Sequence, residues 1–223
     1  MYTVRVWDLP TRLFHWALAA CVIGLVVTGN IGGNWMNWHL RLGYTVLSLL
    51  LFRLVWGFIG GHWSRFSSFL YGPSAVFAYL RGQTRPEHLV GHNPLGMLSV
   101  LALLLILFAQ VGSGLISDDE IAFFGPLVRF VSGDTISQAT SYHKNVGKFI
   151  LIALVVLHLL AIGFYKLVKK DNLVRPMLLG DKRVESPVPS AKDSLGSRLL
   201  ALGVYALCAL AVYGLVRLGN GFG

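Results

Sequence analysis

The chain has 223 residues, 55% of them hydrophobic and only 13% charged, with a mean hydropathy of +0.64. That balance excludes an ordinary soluble domain and predicts an integral membrane protein. The net charge of +9 does not mark a nucleic-acid binder, because the basic residues alternate between connections instead of gathering in one patch.

At about 20 residues per crossing, five apolar stretches are long enough to span a bilayer: 13–30, 39–60, 95–116, 143–168 and 196–218. Asp8-Leu9-Pro10-Thr11 precedes the first, a turn able to cap and start a helix. Gly29-Asn30-Ile31 is a poor small-residue cleavage site, so the first span is read as retained. The short loop from Ile31 to Trp38 makes spans one and two an antiparallel hairpin. Cys21 and Cys208 fall mid-span and belong to no C-x-x-C-H attachment motif; they read as packing residues.

Residues 60–93 form a long, half-apolar connection. Within it, residues 66–71 (FSSFLY) and 76–81 (VFAYLR) set aromatics beside a basic residue, as in a segment lying at the membrane interface. Asn93-Pro94 opens the third span. Residues 117–142 are acidic around an apolar centre, Phe123 to Val128, and suit a docking surface or a short interfacial helix. Pro176, Pro187 and Pro189 mark a charged linker before the fifth span.

Basic residues set the expected orientation. Arg5 and Arg12 precede span one, Arg65, Arg81 and Arg85 lie between spans two and three, and a cluster from Lys166 to Lys192 lies between spans four and five. The opposite connections hold only Arg129. The N-terminus is therefore expected in the cytoplasm and the C-terminus on the other side.

Four histidines lie in or at the ends of these spans, where an unpartnered imidazole is expensive. By this topology His39 and His143 share the outer level, and His15 and His158 the inner one. His158 follows His143 by fifteen residues, a rise of about 22 Å and an angular offset of about 60° on an α-helix. Two histidines facing each other at one depth suit axial ligation of a haem iron; structural zinc collects four ligands, and each level offers two. Gly43 and Gly147 follow His39 and His143 by four residues, leaving room one turn away for a flat macrocycle. Arg53 stands on the same face as His39 near the inner level, placed for a haem propionate or for snorkelling to headgroups. Arg41, Lys144 and Lys148 are the corresponding cations at the outer level. His62, His88 and His92 read as loop residues, with contact to quinone or protons as the lesser reading.

Several of these stretches together resemble the bacterial cytochrome b561 family, including the b-type cytochrome subunits of nickel–iron hydrogenases. They are residues 6–16 (VWDLPTRLFHW), 39–44 (HLRLGY), 53–58 (RLVWGF), 91–96 (GHNPLG), 143–158 and 171–180 (DNLVRPMLLG). The resemblance covers residues 3–183 and implies a four-helix transmembrane bundle holding two haems b, with a fifth C-terminal transmembrane helix beyond it. The expected division is residues 1–183 for the di-haem bundle and 184–223 for a cytoplasmic linker and the fifth helix. The expected ligand pairs are His15/His158 at the inner haem and His39/His143 at the outer. The fifteen-residue interval departs by one from the spacing expected of the cytochrome b561 enzyme itself.

The function implied is electron exchange between membrane quinone and a periplasmic cytochrome or a dehydrogenase or reductase subunit, in the bacterial inner membrane. The alternatives are a free-standing quinol oxidase delivering electrons to a small acceptor such as dioxygen (giving superoxide), and, with less support, a haem-free transporter or anchor. The quinone site is placed either beside Arg12, Arg53, His62 and Arg65 or beside Trp38, Arg41, Tyr142 and Lys144. A homodimer is compatible with this reading.

Overall fold

Asp8 begins the first transmembrane helix as its turn predicts: its Oδ1 accepts the Thr11 amide at 2.8 Å, capping α1 (Leu9–Ile31). The computed structural model describes residues 1–220; residues 221–223 of the 184–223 segment lie outside the described residues. The chain then runs through α2 (Met36–Ile59), α3 (Pro73–Leu80), α4 (Pro94–Leu115) and α5 (Gly133–Tyr142). A π-turn (His143–Gly147) joins α5 to α6 (Lys148–Leu167), followed by α7 (Val174–Leu179) and α8 (Leu195–Asn220). Two short strands, β1 (Tyr2–Arg5) and β2 (Asp181–Val184), lie among the described residues.

Among the described residues, five helices are long and apolar enough to cross a membrane. Four begin within a few residues of the expected positions. The fourth does not: it starts at Gly133, so His143 lies inside it rather than at its beginning. Its first ten residues are too polar to register as membrane-spanning, and the helix is started instead by Ser132, whose hydroxyl accepts the Thr135 amide. Within the long connection 60–93, α3 and a 3-10 turn at Phe66–Ser68 supply the segment read as interfacial, and Phe77 and Leu80 are exposed.

Two compact units make up the fold. One comprises residues 1–14, 53–103 and 154–202. Here β1 pairs antiparallel with β2, Tyr2 opposite Val184 and Arg5 opposite Asp181. No sequence pattern announced this pairing. It is sealed by Gly180, whose carbonyl accepts the amides of Val6 and Trp7 at 2.8 and 3.1 Å. Gly180 has φ +92, and a Cβ there would meet the Trp7 carbonyl at 2.8 Å, so glycine is required twice over. Val6, Trp7, Trp63, Val90 and Ala191 form the core beneath, and burial of this kind contributes about 1.5–3 kcal/mol per large apolar side chain.

Asp8 is fully buried in the same unit. Besides Thr11 it accepts hydrogen bonds from the Gly61 amide (3.0 Å), the Ser64 hydroxyl (2.9 Å) and Trp56 Nε1 (3.3 Å). Asp193 forms a second node, joined to Arg5 at 2.6 Å and Arg198 at 2.9 Å. Burial pushes the Asp193 carboxyl up, but Arg198, the Leu9 amide and Arg5 together outweigh it and hold the group below the usual carboxylate range. A depressed pKa gives stability that is complete above the unfolded value of about 3.9 and disappears as pH falls through the folded value. Thermal unfolding of the wild type is therefore expected to drop more steeply below about pH 4 than that of Asp193→Asn, measured in detergent across pH 3–7.

The other unit comprises residues 15–52, 104–153 and α8 from Gly203 onward. Val46, Leu49, Leu50, Leu107, Leu151 and Val212 are buried in it, and Phe52 meets Tyr205 edge-to-face at 6.2 Å. Leu105 and Phe149 stand exposed, as lipid-facing side chains would. A tight loop follows α4: Asp118 bridges to Phe124, and Asp119 Oδ1 accepts the amides of Ile121, Ala122 and Phe123.

Candidate functional site

His39 and His143 come together in this second unit. His39 Nδ1 lies 3.1 Å from the Leu25 carbonyl of α1, and His143 Nδ1 lies 2.8 Å from the Gln110 carbonyl of α4. A carbonyl can only accept, so each Nδ1 carries the proton and donates it, and each Nε2 keeps its lone pair. Both rings are thus prepared as metal ligands, with tautomer and orientation set by backbone oxygens. The ring centroids are 6.0 Å apart and the planes nearly perpendicular, at 83°.

Glycines on neighbouring helices make room for both rings. A Cβ on Gly29 would sit 3.0 Å from His39 Cε1, and one on Gly114 would sit 3.0 Å from His143 Cε1. Around the pair lies a cavity of about 530 Å³, within the range of roughly 300–1,000 Å³ usual for cofactor sites. Its walls are mostly apolar, including Val22, Val26, Leu40, Leu107, Val111 and Leu151, while Lys144, Lys148, Asp118 and Asp119 supply its charge.

This arrangement fits haem b. Metal–imidazole bonds are about 2.0 Å, so two rings on opposite sides of one iron place their centroids roughly 6 Å apart. Apolar walls suit a porphyrin, and the two lysines suit its propionates. Among the described residues no group of three or more His, Cys, Asp or Glu side chains is placed to hold a metal ion. An axial histidine pair is the ligand chemistry this cavity offers.

The remaining expected site residues fall as follows. Gly43 lines the cavity and has open space where its Cβ would be, and Lys144 lines it too. Gly147 does not line it: the Gln110 side chain and the Tyr142 ring lie against it, so the room it leaves is used by protein. Arg41 also lies off the cavity and packs over Trp38 at 5.2 Å. It stands only two residues from His39, and positions i and i+2 of a helix do not share a face.

His15 and His158 belong to different units, and their pairing rests on the sequence. His15 meets Trp16 edge-on at 5.0 Å, and His158 Nδ1 lies 3.5 Å from Ser99 Oγ. Arg53 is 4% exposed, packs over Phe66 at 4.8 Å and interacts electrostatically with Asp8. Its Nη1 is buried with no hydrogen-bond partner among the described residues, which leaves a donor available to an anion. His88 and His92 are not solvated loop residues: His88 is buried between Tyr71 and Tyr79, and His92 packs against Trp7 and Phe69. Burial first, then Arg65 and Arg85 respectively, push His62 and His88 below the ordinary histidine value.

Gln110, Gly29 and Gly114 were not read from the sequence as site residues. A glutamine near a helix end and two glycines in apolar helices carry no mark of their own; their roles follow only once the helix faces are known.

The family model for prokaryotic cytochrome b561 matches residues 6–180. The chain is similar to a probable Ni/Fe-hydrogenase B-type cytochrome subunit of Azotobacter chroococcum, 26% identical over 79% of this chain and 87% of that one. It is also similar to proteins of the same description from Bradyrhizobium diazoefficiens (23%, covering 81% and 86%) and, as the hydrogenase 1 subunit, from Escherichia coli K12 (24%, covering 78% and 88%). No solved structure matches it.

Proposed function

The chain belongs to the prokaryotic cytochrome b561 family, and from that membership we propose that it is a di-haem b carrier moving electrons between membrane quinone and a redox partner. The facing pair His39 and His143, each with Nδ1 tied to a backbone carbonyl inside a porphyrin-sized cavity, is the observation that carries this reading.

Haem b, when bound, supplies a reversible one-electron iron couple. The chain's own groups do the rest. His39 and His143 would offer Nε2 lone pairs to one haem, and on the sequence reading His15 and His158 would offer theirs to the second. Leu25 and Gln110 hold the first two rings in the ligating tautomer. Lys144 and Lys148 would hold the carboxylates of the first haem, and Arg53 those of the second. Val22, Val26 and Leu151 exclude water, which keeps the site at low dielectric.

The basic connections belong in the cytoplasm of a bacterium with the chain in its inner membrane, so the His39–His143 haem faces the periplasm. The relatives are described as hydrogenase subunits, and a hydrogenase-type enzyme docking from the periplasm is the partner we infer. The ordered loop at 118–124, which exposes Ile121, is a surface on which it would dock. Reduction of quinone to quinol takes up two electrons and two protons, and its two candidate places are beside Arg12, Arg53, His62 and Arg65 or beside Trp38, Arg41, Tyr142 and Lys144.

A pyridine haemochrome assay on the purified chain is expected to return two haems b per polypeptide, reducible by a short-chain quinol. Absence of haem would sink the proposal and revive the transporter reading. Sustained quinol oxidation by the chain alone, with dioxygen as acceptor, would favour a free-standing oxidase.

A further inference from the structure

We propose that Gln110 is the positioning residue of the His39–His143 site, holding open the π-turn that aims His143; this rests on the haem reading above. The turn His143–Gly147 is confined to five residues of a helix that is otherwise α on both sides. A π-turn carries one residue more than the α-turn it replaces, its carbonyls accepting from the amide five residues on instead of four. Gln110 braces it from α4: its Nε2 donates to the His143 carbonyl at 2.9 Å. Its own carbonyl accepts the His143 ring proton at 2.8 Å. One residue of α4 therefore grips the ligand twice, by main chain and by ring.

The other end of the amide argues that this grip is what the side chain is for. Gln110 Oε1 is buried and has no hydrogen-bond partner among the described residues. An apolar side chain of similar length would fill the same space without stranding an acceptor. The amide is explained by its nitrogen. Gly147 completes the fitting, because any Cβ there would collide with Gln110 Oε1 and press on the Tyr142 ring. The turn, the amide and the glycine form one device within a single unit.

The test uses the full chain carrying haem b, with haem count, low-temperature EPR and a redox titration as readouts. Axial imidazoles held near perpendicular, as at 83°, give a strongly anisotropic low-spin signal. In Gln110→Leu two haems are expected to remain, while one redox component shifts its potential and the strongly anisotropic signal moves or is lost. Deleting Asn145 closes the turn to α and removes the geometry that Gln110 supports, so the same redox component is expected to shift and the signal to be lost, with no further change when Gln110→Leu is added. Unchanged potentials and EPR in Gln110→Leu with two haems bound would overturn the inference and leave the haem reading intact. Should Gln110→Leu fail to accumulate, an Asn145 deletion with the potentials and EPR of the wild type would overturn it. A wild type without haem would overturn both.

Discussion

Replacing His143 with alanine is expected to halve the haem b of the purified protein, from two per chain to one, and to reduce a two-component redox titration to a single component. The expectation follows from the geometry of one cavity. His143 and His39 are the imidazoles that meet there, and either one alone leaves the iron a ligand short. His39→Ala should remove the same component, and the double variant should lose no more than either single change, since the two act as a unit. His88→Ala should keep both haems, because that ring packs between Tyr71 and Tyr79. Unchanged stoichiometry in His143→Ala would show that the pair has been drawn wrongly.

Asp8→Ala is expected to cause the largest loss of stability, about 3–5 kcal/mol, read as a lower unfolding temperature in detergent. The substitution strands the Gly61 amide, the Ser64 hydroxyl and Trp56 Nε1 in a buried setting, and removes the helix cap at Thr11. It also leaves Arg53, itself buried, without the carboxylate that acts on its charge. Asp8→Asn keeps one acceptor oxygen and should lose less, about 1–3 kcal/mol. Equal stability of the alanine variant and the wild type would show that these donors find other partners.

Much of this molecule was legible from hydropathy and histidine spacing alone. Five long apolar stretches could be found because a membrane span is read from mere length and composition, which no tertiary contact needs to support. The pairing of His39 with His143 followed from depth. Local detail was harder. The polar stretch 133–142 looked like loop because its helix depends on the Ser132 cap rather than on an apolar face. Arg41 and Gly147 were chosen by proximity along the chain, yet one turns toward Trp38 and the other lies beneath Gln110. The fifteen-residue interval was counted at a uniform α-helical angle, and a π-turn at its start alters that count. Pairing of β1 with β2 left no trace in either strand, since four residues are too few to show an alternating pattern.

That small sheet also sets an order of events for the chain's synthesis. Tyr2–Arg5 leaves the ribosome before its partner Asp181–Val184, which is made only after four of the five spans among the described residues. Helices can enter the bilayer one at a time, each satisfied by its own hydrogen bonds. The earlier strand must wait unpaired while those spans are made, a contact of high sequence separation that closes slowly. A nascent chain halted before residue 181 would therefore still offer an open strand edge to chaperones and proteases.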